Sequence, residues 1–314
     1  MRKLNFLTTC HSKWHYFDVA KSLNDKGQLV KLVTGYPNFK SKKYNIPNKK
    51  IDAFPYFVMI DYLLNGSHNY FINKIRDNIQ YFNAKRISQA ATKYFENSDI
   101  MLSISGSGYW SLDKFKKMGK IYICERSSSH INYQRDILME EYNSFKLKNI
   151  LDLEFSNWKV DNEIYEYENA DFILTPSKFV SDSFKDKGHK NIIEVRFGVN
   201  TDDFQVLEKK NSKDTFDILF VGQLSLRKGL HYLLDAFEKF KHPKKRLHIA
   251  GPKILDYKFF LDKIKGNDKI IFHGKTVKSD LIKLYNLADV FVLPTLEDGY
   301  SIVINEALAC GCPV

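Results

Sequence analysis

Short apolar segments alternate with longer amphipathic ones along this chain of 314 residues. In the second half, several apolar segments end at or just before a glycine or a proline, and a helical pattern follows. These segments are 217–221, 247–250, 270–273 and 290–293. The helical face is clearest after the first of them, at Leu230, Leu233, Leu234 and Phe237. Such strand–helix repetition predicts a doubly wound parallel sheet, in which ligands bind beyond the carboxyl ends of the strands.

The first half shows the same alternation less clearly. Its apolar segments predict strands at 4–8, Leu29–Thr34, Ile100–Ile104, 120–124, Phe172–Thr175 and 192–195. The amphipathic patterns predict helices at Tyr16–Asp25 and 71–95 in this half and at 281–287 and Ile302–Ala309 in the second. Both halves are therefore expected to be α/β.

A polar, turn-rich stretch at 197–215 separates the halves as a linker would. The sequence thus predicts an N-terminal Rossmann-like domain at 1–200 and a second domain at 201–314, facing each other across a cleft. The chain stops at Val314, inside a pattern that a complete doubly wound domain would continue. We therefore expect a C-terminally truncated sequence with an incomplete second domain.

Basic residues exceed acidic ones by 48 to 37, a formal net charge of +11. A basic surface favours phosphate groups on nucleotides, nucleic acids or anionic lipids. A compositional bias toward Lys, Asn, Ile, Tyr and Phe explains the excess equally well. Because no basic cluster accompanies a nucleic-acid-binding motif, nucleic acid is not an expected partner. The Lys- and aromatic-rich stretch 36–62 is expected to contact an anionic membrane surface weakly.

The cysteines have neither disulfide-framework nor zinc-site spacing, which favours a reducing compartment. They are Cys10, Cys124, Cys310 and Cys312. The N-terminal apolar stretch is too short and too polar for a signal peptide, and no apolar run is long enough to span a bilayer. The expected location is the cytoplasm, with peripheral contact at the inner membrane face.

The region 294–311 carries the strongest functional signal, an acidic glycine turn between a strand and a helix. Backbone amides of Gly299, Tyr300 and Ser301 at the helix N-terminus would favour a phosphate. Asp298 and Glu306 could bracket the same ligand, and carboxylates accept hydrogen bonds from sugar hydroxyls, not from phosphate. A ligand with both groups is predicted; the alternative is a helix cap at Asp298 and a solvated Glu306.

Arg227 and Lys228 stand directly before a predicted helix. Cations at this position oppose the helix dipole, so a nearby anion is expected to offset them. A diphosphate suits both side chains, because Arg forms a planar fork and Lys acts as a point charge. The alternative is a solvated helix start.

These segments together resemble glycosyltransferase family 4, the retaining enzymes with the GT-B fold. The string EDGYSIVINEALACGCPV is similar to the family's acid–seven residues–Glu motif, with Asp298 or its neighbour Glu297 at the first acid position. The resemblance implies that the first acid orients the donor sugar and that Glu306 holds the ribose hydroxyls. Similar segments continue in order from about residue 160 to the end of the chain.

The string LFVGQLSLRKG is similar to the family's first donor-domain strand and phosphate loop. This resemblance implies that Gly222, Arg227 and Lys228 contact the donor diphosphate. Gln223 stands where many relatives carry Arg, and we interpret Arg227 as the substitute.

The segment CERSSSH at 124–130 resembles the family's strand–loop–His segment. The resemblance implies that His130 faces the donor sugar; the alternative is a plain helix-start residue. His11 and His15 are interpreted as surface residues. The acidic stretch 161–168 is interpreted as a solvated helix face rather than a metal site.

The expected function is transfer of a sugar from a nucleoside diphosphate sugar to a hydroxyl of a saccharide or lipid-linked acceptor, in cell-surface polysaccharide or glycolipid synthesis. Neither a metal nor a cofactor is expected, since Arg227 and Lys228 would hold the diphosphate. Gly106 and Gly108 are expected to form a tight turn beside the acceptor. The alternatives are nucleotide-sugar binding without turnover, a GT-B epimerase or phosphorylase, and a nucleic-acid binder supported by charge alone.

Overall fold

The computed structural model describes residues 2–13, 15–64, 70–147, 150–207, 214–254 and 256–314. The chain forms two compact units, and each contains a parallel sheet with helices. The first unit comprises Met1–Tyr133 and Asp152–Val195, and the second comprises Gln134–Leu151 and Arg196–Val314. The linker predicted at 197–215 is described only in part, because 208–213 lie outside the described residues.

The strands of the first unit form one sheet in the order β3-β2-β1-β4-β5-β6-β7. They are β1 (Phe6–Cys10), β2 (Leu29–Thr34), β3 (Ile51–Ala53), β4 (Ile100–Ile104), β5 (Ile121–Glu125), β6 (Phe172–Thr175) and β7 (Ile192–Glu194). The chain runs from β1 to one edge of the sheet and then from β4 to the other edge. The order therefore reverses between β1 and β4, where ligands bind in doubly wound sheets.

Every residue of β4 is buried, as expected for a central parallel strand covered on both faces. β1 begins two residues later than predicted. The amide of Asn5 donates to Asp99 (2.9 Å), and Phe6 is the first residue to pair with both neighbouring strands, at Leu29 and Ile100.

The helices of the first half are α1 (Tyr16–Asp25), α2 (Asn38–Ser41), α3 (Pro55–Leu64), α4 (Tyr70–Ala91), α5 (Leu112–Lys117), α6 (Ile131–Ser144), α7 (Asn157–Asn169) and α8 (Lys178–Lys185). α1 agrees with the prediction at both ends. The helix predicted at 71–95 ends at Ala91, and a 3₁₀ turn at Thr92–Tyr94 continues it.

The second unit has the strand order β10-β9-β8-β11. Its strands are β8 (Phe216–Val221), β9 (Lys245–Ala250), β10 (Ile270–Gly274) and β11 (Val290–Phe291), and its helices after β8 are α9 (Leu230–Lys239), α10 (Lys258–Lys265), α11 (Lys278–Leu287) and α12 (Ile302–Ala309). The apolar face predicted for α9 is buried, which confirms the helix. β11 is shorter than predicted because Pro294 lacks an amide hydrogen.

Residues from Gln134 onward in α6 belong to the second unit, unlike the predicted division at 200/201. Tyr142 donates a hydrogen bond to Asp256 (2.8 Å), and Glu141 lies 2.7 Å from the ring nitrogen of His231. These contacts join residues more than 80 positions apart, so no local sequence pattern indicates them. In the described part of the chain, no helix is both long and apolar enough to cross a membrane.

Candidate functional site

The strand order of the second unit reverses between β8 and β11, and the loops after these two strands meet. The Leu296 amide donates to the Arg227 carbonyl (3.0 Å), and the Thr295 hydroxyl donates to the same oxygen (3.1 Å). Both loops follow the carboxyl ends of their strands. The residues predicted to bind a diphosphate and those of the acidic turn are thus brought together at this point.

A glycine makes the close approach of the two loops feasible. Gly229 has φ +68°, and a Cβ built there would lie 1.7 Å from the carbonyl oxygen of Pro294. Any side chain would therefore collide with backbone and also adopt a strained conformation. Gly229 precedes α9 directly, so it fixes the start of that helix against the acidic loop.

Two cations and two carboxylates form a cluster at this meeting of loops. Lys228 Nζ donates to Asp298, and Arg227 lies 3.5 Å from Glu297 and 3.7 Å from Asp298. The Glu297 side chain is fully buried, whereas about a quarter of the Arg227 side chain, 24%, is exposed. Burial lowers the pKa of Lys228, and the Asp298 carboxylate opposes that shift. The cluster therefore holds partly desolvated charges that solvent or a ligand can still reach.

The acidic turn continues into α12 as predicted. The Ser301 hydroxyl donates to Asp298, which ties the turn to the cation cluster. Asn305 donates to the Tyr300 hydroxyl (2.9 Å) and to the Phe197 carbonyl (3.2 Å). The turn that contains Gly299 is thus supported from both sides.

Glu306 lies on α12 and is half-buried. The hydroxyl of the fully buried Tyr285 donates to it (2.9 Å). Burial raises the pKa of Glu306, and the bond from Tyr285 opposes the shift. The alternative that Glu306 is a solvated helix residue is wrong. Gly222, the other predicted residue of the phosphate loop, directly follows β8. Its amide donates to the carbonyl of Ala250 at the end of β9 (2.9 Å).

Sequence reasoning missed two residues that support this cluster. Gln134 on α6 donates to Glu297 (2.8 Å) within the second unit. Asp256 accepts the amide of Leu226 (2.8 Å) at the loop just before Arg227, and burial raises the pKa of Asp256. Neither residue stands in a motif, and Gln134 is 163 positions from its partner.

His130 is in the first unit and is 3% exposed. Its ring packs against Tyr167 and Phe184, with centroids 5.2 and 5.1 Å away. Burial, followed by the nearby basic side chains, lowers the pKa of His130 to about 4. The neutral ring accepts the Asn132 amide at Nδ1 (3.2 Å), which leaves the proton on Nε2. Its role in binding a donor sugar stays a prediction.

The first unit contains a cavity of about 240 Å³ at its own strand-order reversal. His11 and Ser12 follow β1, and Ser105 and Gly106 follow β4; all four line the cavity. The other lining residues come from α3, α4 and α7: Phe57, Val58, Asp61, Ile79, Gln80, Asn83, Ala84, Trp158, Lys159 and Glu163. The cavity thus combines aromatic and aliphatic walls with neutral, acidic and basic polar groups.

Asn83 gives this cavity an unsatisfied acceptor. Its amide nitrogen donates to the His11 carbonyl (2.9 Å), which fixes the orientation of the amide. Its oxygen is buried without a hydrogen-bond partner among the described residues, and the residue is 6% exposed. Buried polar atoms are normally paired, so this atom points to a ligand or water that would donate to it.

Three of the sequence interpretations in the first unit are wrong. His11 and His15 are not surface residues: His11 contacts the Ser107 hydroxyl (3.1 Å), and His15 pairs with Glu125. The stretch 161–168 is not a solvated face, because Glu163 and Glu166 in it are buried. Tyr122 and the backbone amide of Tyr109 donate to Glu166, at 2.7 and 2.9 Å. Within the described ranges, no group of three or more His, Cys, Asp or Glu side chains could hold a metal ion.

Comparison with known proteins adds to this geometry. Residues 201–314, just over a third of the chain, match the family model described as Glycosyl transferases group 1. An uncharacterized glycosyltransferase of Methanocaldococcus jannaschii is 38% identical over 100 residues, covering 31% of this chain and 26% of that protein. Mannosylfructose-phosphate synthase of Agrobacterium fabrum is 23% identical over 251 residues, covering 71% of this chain and 55% of that protein. The chain spans about a quarter to about half the length of these curated relatives.

The crystal structure of Anabaena HepE in complex with UDP and glucose is similar over 99% of this chain and 80% of its own, with a TM-score of 0.62 and 16% sequence identity. At this identity the likeness shows the fold, and it confirms the predicted α/β, GT-B fold class. Residues 201–314 are therefore similar to the glycosyl transferases group 1, and the chain as a whole has the GT-B fold.

Proposed function

We propose that this protein transfers a sugar from a nucleoside diphosphate sugar to an acceptor hydroxyl, with retention of anomeric configuration and without a metal ion. The observation that carries the proposal is the cluster of Arg227 and Lys228 with Glu297 and Asp298 at the strand-order reversal of the second unit. The group 1 match covers this cluster. HepE, whose structure contains UDP and glucose, shares the fold.

The diphosphate would replace the carboxylates as the partner of the two cations. Arg227 can form two parallel hydrogen bonds to phosphate oxygens, and Lys228 adds a point charge. Asp298 would then be free to accept hydrogen bonds from the donor sugar. The amides of Gly299, Tyr300 and Ser301 add the positive end of α12, and Gly222 lets the loop approach the phosphates closely.

We assign the remaining donor contacts as the family resemblance implies. Glu306 would hold the ribose hydroxyls, and its carboxylate also accepts the Tyr285 hydroxyl. His130 would donate a hydrogen bond to the sugar from Nε2 as a neutral ring. Because the ring is 3% exposed, this contact requires the aromatic packing around it to open.

In the transfer step, the bond between the anomeric carbon and the phosphate oxygen breaks, and the acceptor oxygen bonds to the same face of that carbon. The acceptor proton passes to the departing phosphate. The products are the glycosylated acceptor and the nucleoside diphosphate. Arg227 and Lys228 would stabilise the charge that develops on the leaving oxygen, which is where electrostatic catalysis acts most.

The acceptor is a saccharide, free or lipid-linked, in the cavity of the first unit. Trp158 and Phe57 offer flat apolar surfaces to a sugar ring, and the unpaired oxygen of Asn83 would accept a sugar hydroxyl. Asp61 and Glu163 also line this cavity and accept from hydroxyls. Such an acceptor fits cell-surface polysaccharide or glycolipid synthesis at the cytoplasmic side of a membrane.

A thermal-shift screen of nucleoside diphosphates and their sugars, in EDTA, tests the donor assignment. A ligand at a hundred times its Kd stabilises by about 2.7 kcal/mol. We expect a shift with at least one nucleoside diphosphate sugar, and release of its nucleoside diphosphate when saccharide acceptors are added. A shift without release would favour nucleotide-sugar binding without turnover. No shift with any of them would contradict the proposal.

A further inference from the structure

We propose that the outward faces of α3 and α4 form a docking surface for a lipid bilayer with anionic headgroups. This docking surface consists of Tyr56, Met59, Ile60, Leu63, Phe71, Lys74, Ile75, Phe82 and Arg86. It lies within the first unit, and the docking itself does not depend on the proposed transfer reaction.

Four apolar residues on one face of α3 point toward solvent. Tyr56, Met59, Ile60 and Leu63 recur at the spacing of one helix face, and they are 77, 47, 45 and 79% exposed. The adjacent Tyr62 is 71% exposed as well. Amphipathic helices of a globular protein normally turn such a row toward the core. Here the row is turned outward, which marks an interaction site rather than a packing face.

The outward face of α4 continues this surface. Phe71, Ile75 and Phe82 lie on one face of the helix and are 74, 51 and 52% exposed. The ring of Phe82 stacks on Phe57 of α3 with centroids 6.3 Å apart, so the two helices are neighbours here. Lys74 and Arg86 lie among these residues on the same helix face and are exposed.

The acidic residues of the region are engaged away from this surface. Residues 36–86 contain nine Lys and Arg against three Asp, so they contribute +6 of the net charge of +11. Asp61 accepts from the buried Arg76 (3.0 Å). Asp77 accepts from Trp158 (2.9 Å), and Asp52 from Tyr94 (2.9 Å). The docking surface therefore presents apolar and cationic groups without an exposed carboxylate among its members.

The exposed apolar and basic side chains of this surface favour an anionic bilayer over the other potential occupants. Exposed aromatic and aliphatic side chains enter the headgroup boundary, and lysines beside them attract anionic lipids. A second copy of the same face would bring two strongly basic regions together, which is unfavourable. Nucleic acid would leave the row of Met59, Ile60 and Leu63 without a suitable partner.

The inward faces of the same helices line the cavity of the first unit, through Phe57, Val58 and Asp61 of α3 and Ile79, Gln80, Asn83 and Ala84 of α4. A protein docked through the outward faces would hold this cavity within about one helix diameter, ~10 Å, of the membrane. If the proposed function holds, the acceptor is a saccharide whose lipid anchor stays in the bilayer. This last consequence rests on the proposed function.

Sedimentation of the full chain with vesicles tests the docking surface. The vesicles are phosphatidylcholine with or without phosphatidylglycerol, at low and high salt. We expect binding to the anionic vesicles that weakens with salt. The double variant Tyr56→Ser and Leu63→Ser should bind about tenfold more weakly or worse. The control variant Val206→Ser and Val277→Ser, at positions 64 and 63% exposed in the second unit, should bind as the wild type does.

A second pair of variants separates local from overall charge. Lys74→Glu with Arg86→Glu should abolish the preference for anionic vesicles. Lys241→Glu with Lys269→Glu changes the net charge equally in the second unit and should retain it. Equal loss in both pairs, or equal binding of the wild type to neutral and anionic vesicles, would overturn the proposal. If the wild type forms a homodimer that the Tyr56→Ser and Leu63→Ser variant disrupts and the control variant does not, the occupant of this surface is a second copy of the chain. That result would overturn the proposal of a bilayer.

Discussion

Glu166 in the first unit and the pair Glu297 and Asp298 in the second are buried or largely buried carboxylates that are stabilised in different ways. Among the described residues, Glu166 accepts from uncharged donors: the amides of Gly108 and Tyr109, at 3.2 and 2.9 Å, the hydroxyl of Tyr122 at 2.7 Å and the thiol of Cys124 at 3.8 Å. In the second unit, Glu297 and Asp298 face Arg227 and Lys228.

Donors that are part of the backbone cannot leave their acceptor without unfolding the loop. Flexible cationic side chains can exchange a carboxylate for a phosphate at little structural cost. The fixed partners of Glu166 thus indicate that this residue stabilises the fold, whereas exchangeable partners are what the ligand site proposed for the second-unit cluster requires.

The largest expected effect is on stability, from Glu166→Ala. It would leave the donors of Gly108, Tyr109 and Tyr122 unpaired in a buried site. At about 1–3 kcal/mol for each unpaired group, we expect a loss of at least ~3 kcal/mol in the free energy of unfolding. Urea denaturation measures it. As the matched change in the second unit, Asp298→Ala should cost less, because Arg227 keeps Glu297 as a partner and the side chains of Arg227 and Lys228, 24 and 15% exposed, still reach solvent. Equal losses in the two variants would remove the distinction between fixed and exchangeable partners.

A smaller effect, on donor binding, is expected at Glu306. Both Glu306→Gln and Glu306→Ala should weaken binding of the donor by about ten- to a hundredfold, because hydrogen bonds to a charged acceptor contribute about 1.5–3 kcal/mol. Only Glu306→Ala should also destabilise the fold, since it leaves the buried hydroxyl of Tyr285 without its acceptor. Calorimetric titration with the donor and thermal melts of both variants separate the two losses. Wild-type donor affinity in Glu306→Gln would move the ribose contact elsewhere.

The smallest effect is the pH dependence of stability. Burial raises the pKa of Glu166 from 4.5 to about 7. The folded state therefore retains a proton that the unfolded state releases, so this stabilising contribution is lost as the pH rises from 4.5 through 7. His130 acts in the opposite direction, because its lowered pKa removes stability as the pH falls from 6.5 through 4.

Glu166→Gln isolates the first of these contributions. The stability of the variant relative to the wild type should rise between pH 4.5 and 7 and then level off, since the contribution of His130 is common to both proteins. Urea denaturation across this range checks the result. A difference independent of pH would mean that Glu166 is ionised throughout.

What the sequence could predict depends on how its signals are distributed along the chain. Arg227 and Lys228 are adjacent, as are Glu297 and Asp298, and a short pattern of strand, glycine and helix surrounds each pair. The side chains of Gln134 and Asn83 have partners that are far away in the sequence. No short stretch of sequence therefore contains both the residue and its partner.

The burial of Glu163 and Glu166 could have been predicted from the sequence. Glu163 lies at helical spacing with Val160 and Tyr167 on α7, and all three are buried. A carboxylate on an apolar helix face indicates a buried, paired acid. The parallel fold followed from local alternation alone, because each strand and each helix is short and contiguous.

Titration of UDP into the protein tests most directly whether the cluster of the second unit is an exchangeable diphosphate site. Calorimetry compares the wild type with Arg227→Lys and Lys228→Arg, each with EDTA and with magnesium. Because Lys cannot reproduce the bidentate contact, Arg227→Lys should bind UDP about tenfold more weakly, a loss of about 1.4 kcal/mol. Lys228→Arg should change the affinity less, and EDTA should leave it unaltered. Wild-type affinity in Arg227→Lys, or binding abolished by EDTA, would contradict a diphosphate held by these side chains.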